Sequence, residues 1–388
     1  MSQPTISIIG AGICGLTLGR CLLQRGVRAI LYEKAPARPR NHYAITLQPS
    51  SYRPLLKALN IDETTFNSRV AVDAESGGAG AITTKAYGYR NLEPSSFRAN
   101  RSAFEALLRE GLDVRWEHAL QDVEEAANGA GFTLKFANGT TATSDVVVDA
   151  EGPHSVIRVT FLPSIEPRIL PYVAFNGKRK VSKDDFDTLY AELFAGGTVV
   201  QERQDRGVVL NLSIGSASSR DVSLNWIYSR PARGDDDALH NPGRSQAAAK
   251  SIPEEFFSEV AALSGGLSPG FRDVFDAERL RGERILHWLM RSVVVPQSEL
   301  VSLAGRGVSL VGDAAHAEQI IGGGGANEAI EDGVSLADWI AEKGTGEIAK
   351  WYATRYPSWQ EGQRASRECI AGIHGETEIE AKPTASLM

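Results

Sequence analysis

The feature that most limits how this chain folds is the run from Ile6 to Glu33. A short apolar stretch (Ile6, Ile8, Ile9) leads directly into Gly10-Ala11-Gly12-Ile13-Cys14-Gly15. An amphipathic pattern follows with Leu18, Cys21 and Leu22 on one face. Gly26 stops it, and a second apolar run from Val27 to Tyr32 ends on Glu33. Strand, Gly-rich turn, helix, strand and acid in this order predict a Rossmann βαβ unit. Gly10 permits the tight turn, Gly12 lets backbone N–H groups approach a pyrophosphate, and Gly15 lets the helix pack close to the strand. The helix N-terminus then offers free N–H groups and partial positive charge to the phosphates. Glu33 suits the two ribose hydroxyls and would repel a 2′-phosphate, which favours FAD or NAD over NADP. A GxGxxG alone also fits an ordinary strand–turn–helix. The terminal acid in register makes it a dinucleotide site, without separating FAD from NAD.

The chain has 388 residues, enough for one large domain or two interlocked ones. A net charge of −7 and a pI near 5.6 argue against a nucleic-acid partner, and no basic stripe interleaved with aromatics is present. Cys14, Cys21 and Cys369 are the only cysteines, with no CxxC, which implies a reducing compartment and no structural metal. The first apolar run is consumed by the Gly-rich turn rather than forming a signal peptide, and no run reaches membrane-spanning length. A soluble, cytoplasmic protein is expected.

Further along, Ser51–Leu59 reads as a helix, 70–96 as hairpins or an irregular excursion, and Asn100-Arg101-Ser102-Ala103-Phe104 as a helix start. Asp145 to Asp149, a valine run with polar ends, reads as a buried parallel strand whose C-terminal edge carries Glu151-Gly152. From about 165 to 285 the pattern changes to β-runs, notably Val208–Ile214 and Ser223–Tyr228, which predict an antiparallel sheet. The α/β signal returns at Gly307–Asp313, followed by Gly322–Gly325 and a helix from Ala326. The expected fold is α/β, a Rossmann-type FAD-binding domain with an interleaved antiparallel-sheet substrate domain. Residues 1–69, 97–164 and 286–345 are assigned to the first and 70–96 with 165–285 to the second. A C-terminal helix (346–374) and a flexible tail (375–388) complete the chain.

Three strand ends thus carry one kind of feature: Gly12 with Glu33, Glu151-Gly152, and Gly312-Asp313. Here the sequence resembles the class A, p-hydroxybenzoate hydroxylase-like flavoprotein monooxygenases. GAGICG matches their GxGxxG, and VVVDAEGPHSVIR is similar to their DG segment through Gly152, Ser155 and Arg158. VSLVGDAAHAEQIIGGGGANEAIEDGVSLADWI resembles their GD segment, and Asn100–Phe104 matches a flavin-contacting Arg before a helix. The motifs keep family order over roughly residues 5–340.

The resemblance implies FAD held by Gly10, Gly12, Ile13, Cys14, Gly15, Glu33 and Lys34 at the adenosine and pyrophosphate end. Tyr43, Ala44 and Ile45, with His42, would lie beside the isoalloxazine. Arg101 would cover the outer face, and Gly312 and Asp313 would hold the ribityl chain. The helix opening at Gly325, Ala326 and Asn327 would point its N-terminus at the flavin pyrimidine. The implied reaction uses NAD(P)H and O2, through a flavin C4a-hydroperoxide, to hydroxylate or epoxidise an electron-rich aromatic, indolic or polyketide-like molecule, as in secondary metabolism. For the substrate pocket the candidates are Asn176, Arg179, Tyr190 and Tyr228, although a packing role competes at each. Strand alternation puts Asn176 and Lys178 on one face and Phe175 and Arg179 on the other. No catalytic side chain is expected, since the flavin does the chemistry. His316 reads as a structural hydrogen-bonder.

Two departures stand out. Glu151 replaces the family's Asp, and Gln319 and Ile320 stand where the family has prolines. They leave open a flavoprotein of this fold that performs oxidation or redox-neutral rearrangement, or one that binds flavin without turnover. Expected partners are a small-molecule substrate and O2, without nucleic acid, membrane or metal, in a monomer or homodimer.

Overall fold

The computed structural model describes residues 4–37, 43–82, 92–126, 131–244, 251–319, 321 and 324–375. His42, Ile320, Gly322, Gly323, part of the 70–96 excursion and nearly all of the expected tail lie outside the described residues.

Five short strands form a parallel sheet in the order Val308–Leu310, Val146–Asp149, Ile6–Ile9, Ala29–Glu33, Val114–Trp116. The central three are buried on both faces, because the helix Ile13–Gln24 packs on one (Gly19 against Leu31) and the three-stranded sheet 120–144 on the other (Phe136 stacked on Tyr32), which is why they read as apolar runs. The helix Ile13–Gln24 buries Leu16, Leu18, Cys21 and Leu22 in this core. Across it lies the 19-residue helix Gly325–Lys343. A Cβ at Gly333 would come within 2.8 Å of Thr17 and of the Leu18 nitrogen, so the two helices touch backbone to backbone. That contact brings both helix N-termini to one edge of the sheet.

The second sheet is antiparallel, in the order Val199–Arg203, Val209–Ala217, Asp221–Pro231, Arg168–Ser182, Ile285–Ser292. The expected runs at 208–214 and 223–228 are its second and third strands, each longer than read. Its fourth strand has 15 residues. Its last, Ile285–Ser292, crosses the boundary drawn at 285, so the antiparallel layer extends to 292. A chain-order reading misses this because the strand is read beside the following parallel one. The outer face packs on helices through Phe175, Trp226, Phe256 and Phe275. Gly177 is the cross-strand partner of Trp226, and a Cβ there would lie 2.4 Å from the indole. The indole therefore lies against bare backbone.

Smaller pieces join the layers. Ala44–Leu47 pairs with Phe97–Asn100, and Asn100 caps the helix Arg101–Arg109 by accepting the Ala103 N–H at 3.1 Å. Residues 71–82 bridge this ribbon to the antiparallel sheet, through Val72 with Arg98 and Ala217, and Ala81 with Thr198. A three-stranded sheet, Leu120–Glu125, Phe132–Phe136 and Thr141–Ser144, flanks the parallel one. Among the described residues, no helix is long and apolar enough to cross a membrane.

Because the indole cannot retreat, Gly177→Ala should overpack the outer layer and cost about 1–3 kcal/mol. A urea midpoint equal to that of the unmodified chain would show that this packing is slack.

Candidate functional site

One cavity of about 970 Å³ runs from the Gly-rich turn across the ends of the parallel strands to the inner face of the antiparallel sheet. Gly10, with φ +103° and a would-be Cβ only 2.3 Å from the Ala150 carbonyl oxygen, makes the turn that no side chain permits. Gly12 has nothing within 4 Å of a built Cβ and faces the cavity. Glu33 turns back toward the turn: its Oε2 accepts the Ala11 N–H at 2.8 Å and its Oε1 the Ala35 N–H at 2.9 Å. Both carboxylate oxygens are thereby fixed beside the Gly-rich turn. Sequence reasoning assigns Glu33 to the ligand; the structure adds that it also holds the turn in shape.

Ile13, Cys14 and Lys34 also line this end. Gly15 does not. Its Cβ would sit 2.0 Å from the Gly10 carbonyl oxygen, so its role is to let the helix close on the turn. Burial pushes the Cys14 thiol well up, which makes it an inert packing group.

Midway, Tyr43, Ala44, Ile45, Arg101, Asp313, Gly325 and Ala326 border the cavity. The Arg101 guanidinium donates to Glu105 at 2.8 Å and to the Tyr43 hydroxyl at 3.1 Å, and lies 5.4 Å from the Tyr43 ring centre. Gly312 and Asn327 are not on the cavity wall. Asn327 accepts the Gln48 N–H at 2.9 Å and donates to the Thr46 carbonyl at 3.1 Å, tying the Ala44–Leu47 strand to the helix start. Gly312, at φ +55°, donates its N–H to Asp332 at 2.9 Å. Both position neighbours that do face the cavity.

The Glu151 departure has a structural use. Its Oε2 accepts the N–H groups of Val156 at 3.0 Å and Ile157 at 3.4 Å, capping the short helix that begins there. Asp149 accepts the Glu151 N–H at 3.0 Å and bonds the Ser155 hydroxyl. Burial pushes both carboxyls up, and at Glu151 the nearby Asp149 charge adds to the rise. Arg158 donates to the carbonyls of Ala314 at 2.7 Å and Pro153 at 2.6 Å, joining the second and third strand ends.

Residues that sequence reasoning did not single out organise the third strand end. Asp332, fully buried, accepts from Gly312 N–H, Arg355 Nε (2.9 Å), Trp359 Nε1 (2.8 Å) and His316 Nε2 (2.6 Å). Burial alone would raise its pKa; His316, Arg355 and the Gly312 N–H overcome that and hold it at about 2. His316 stacks on Trp359 at 4.2 Å, which is the structural role expected of it. Next to it, Glu318 lines the cavity, and burial followed by the nearby Glu328 pushes its carboxyl up to about 7. Gln319 is 2% exposed, lines the cavity, and neither of its amide atoms has a partner among the described residues.

Of the four substrate-pocket candidates, only Asn176 lies on the cavity wall. Arg179 faces the opposite side of the sheet and pairs with Glu283 at 2.7 Å and Asp273 at 3.0 Å. Tyr190 bonds Asp273 and Tyr228 bonds Glu259, both inside the helix-covered layer. Those three are corrected to packing residues whose polar ends find acids there. The cavity wall instead takes Lys178, Asn211, Ser213 and Asn225 from the sheet, with Leu286 and Trp288. Alternation along Val209–Ala217 would have flagged Asn211 and Ser213 together.

The residues fit FAD on these grounds: an open glycine cradle, a buried acid fixed behind it, and two helix N-termini at one cavity. A family model described as "FAD binding domain" matches residues 3–258 and 291–364. The FAD-dependent monooxygenase aptC of Emericella nidulans is 32% identical over 407 residues, covering 96% of each chain. The FAD-dependent monooxygenase nscC of Arthroderma otae is 34% identical, covering 94% of this chain and 92% of its own. Among solved structures, 2,6-dihydroxypyridine-3-hydroxylase of Arthrobacter nicotinovorans superposes with a TM-score of 0.72 at 20% identity, over 98% of this chain and 96% of its own. HpxO of Klebsiella pneumoniae, complexed with FAD and uric acid, gives 0.69 at 18%, over 96% and 89%.

Asp332→Asn should cost about 1.5–3 kcal/mol, because it weakens the charge-assisted hydrogen bonds from Arg355, Trp359 and His316 while Arg355 keeps Glu328 and Glu331. The folded pKa of Asp332 lies below its unfolded value. Its contribution is therefore complete above about pH 4 and is lost as pH falls toward 2. Urea midpoints measured from pH 5 downward should fall less steeply in the variant; parallel curves would remove Asp332 from the acid limb.

Proposed function

The chain belongs to the FAD binding domain family of FAD-dependent monooxygenases, and from that premise we propose that it uses NAD(P)H and O2 to hydroxylate or epoxidise an electron-rich aromatic, indolic or polyketide-like small molecule. One observation carries the reading: a single cavity is lined at one end by the dinucleotide turn and at the other by the inner face of the antiparallel sheet. Bound FAD supplies the redox chemistry, accepting electrons from a reduced nicotinamide and activating O2.

The chain's own residues bind, orient and exclude water. Gly12 and the N-terminus of Ile13–Gln24 would hold the pyrophosphate, Glu33 the adenosine ribose, and Asp313 the ribityl hydroxyls. The N-terminus of Gly325–Lys343 opens at the cavity, where its partial positive charge would favour negative charge on a bound flavin. Arg101, braced by Glu105 and Tyr43, is placed to cover the cofactor's outer side. Ile45, Leu286, Trp288 and Ile321 supply an apolar wall that keeps water from the reacting centre.

A second reading, oxidation without oxygen insertion, draws on Gln319. A buried unpaired amide replaces a proline beside the expected flavin edge, adding hydrogen-bonding groups where the family has none.

The purified protein should be yellow with one FAD per chain. Asp313→Ala should lose most of it, since a hydrogen bond to a charged group is worth roughly 1.5–3 kcal/mol. NADPH oxidation should be slow alone and accelerate with an aromatic substrate, the product gaining one atom of 18O from labelled O2. Turnover with no label in product selects the second reading; a colourless protein that takes up no FAD sinks both.

A further inference from the structure

The inner face of the antiparallel sheet is unlike an ordinary packed face. Its side chains stand in two cross-strand rows. In one, Ser213 is opposite Asn225 and Asn225 opposite Lys178. In the next, Asn211 is opposite Ile227, and Ile227 opposite Asn176. Asn211 is 2% exposed and neither its Oδ1 nor its Nδ2 has a partner among the described residues; Asn225, 9% exposed, has an unpaired Nδ2. Leaving a buried amide unsatisfied is unfavourable, so two on one face are a standing penalty that a ligand can remove.

The charge on this face is equally uneven. Lys180 is neutralised by Asp221 at 2.7 Å, whereas Lys178, exposed at the cavity wall on the same face, makes no ion pair among the described residues. The backbone also makes room for the array. A Cβ at Gly215 would fall 2.5 Å from Asn225 Nδ2, so glycine at that bulge gives the amide its position. With strands about 4.8 Å apart and alternate residues about 7 Å apart, the rows cover a patch about 10 Å by 7 Å. That suits a flat fused-ring system rather than a chain.

We propose that Lys178, Asn211 and Asn225 are specificity-determining residues that read a fused aromatic substrate through its oxygens. An ionised hydroxyl sits on Lys178, and a hydroxyl beside a carbonyl pairs with the donor and acceptor of Asn211. Asn225 donates to a further oxygen. Asparagine carries both functions on one planar group, so it recognises a donor–acceptor pair and penalises a ligand lacking it. This rests on the reading that the cavity takes an aromatic substrate beside the flavin.

The test is a titration of the FAD-loaded protein, followed by perturbation of the flavin absorbance, with two probes: 1,8-dihydroxyanthraquinone and its 1,8-dimethoxy ether. The unmodified protein should prefer the dihydroxy probe at least tenfold. Lys178→Met should weaken that probe about tenfold and leave the ether unchanged, while Lys178→Arg keeps most of the preference. Asn211→Leu should erase the preference and leave the ligand-free melting temperature unchanged or raised, because it removes an unpaired amide. Asn211→Ser serves as the smaller change should leucine not fit. An unmodified protein without preference, or variants that lose both probes equally or neither, would overturn the assignment. The readout does not depend on turnover. Discrimination without oxygen insertion leaves the array standing and refutes the monooxygenase reading; oxygen insertion with unaltered variants does the reverse.

Discussion

A carboxylate with no exposure to water, Asp332, is the interaction on which the cavity depends. A buried charge persists only where its partners replace the lost hydration, and four donors do so here. They come from the third strand end (Gly312), the short turn after it (His316) and the last helix (Arg355, Trp359). Arg355 spreads the bond further, reaching Glu328 at 2.6 Å and Glu331 at 3.1 Å. The C-terminal helix Ile348–Ile373, which touches none of the expected cofactor, is thereby part of its support. Asp313 and the N-terminus of Gly325–Lys343 keep their places because the next turn of that helix is anchored from behind.

Close backbone approach is the second constraint, and it works with the first. The helix Ile13–Gln24 presses on the turn at Gly15 and on the neighbouring helix at Gly333, so both N-termini arrive at one edge. Two helix ends with unpaired N–H groups beside several acids make a place that an anion and a polyol fill together. Glu33 shows how tightly the two jobs are joined. The carboxylate expected to meet a ribose is the one that fastens the turn, so both roles would fall to one side chain.

Much of this was legible in the sequence because it repeats short, local rules. The Gly-rich turn, the valine run and the Gly-Asp strand end each announce themselves within a few residues, and their order names the parallel sheet. Residues that reach across the fold were less legible. Asp332 lies in an ordinary-looking helical stretch, and its partners are up to 27 residues away in the chain. Asn327 and Gly312 sit in the motif expected to contact a cofactor, and the structure shows that Asn327's side chain and Gly312's backbone also serve a neighbour. A motif marks a neighbourhood; which member touches the ligand depends on how the turn is tilted. The strand at 285–292 was misassigned for a related reason, since adjacency in sequence said nothing about the sheet it joins.

The substrate face shows the limit most plainly. Alternation along 175–179 correctly separates Asn176 and Lys178 from Phe175 and Arg179, but it cannot say which side is hollow. Arginine and tyrosine attract attention as chemistry-bearing groups, and here they face the packed side. What decides the matter is the supply of partners. The segment 254–283 brings Glu259, Asp273 and Glu283 over the outer face, and these satisfy Tyr228, Tyr190 and Arg179. Among the described residues, no such segment covers Asn211, Asn225 or Lys178. In a two-faced sheet the side whose polar groups are already answered is the packed core, and the side whose polar groups are left unanswered among the described residues is the one that borders the cavity.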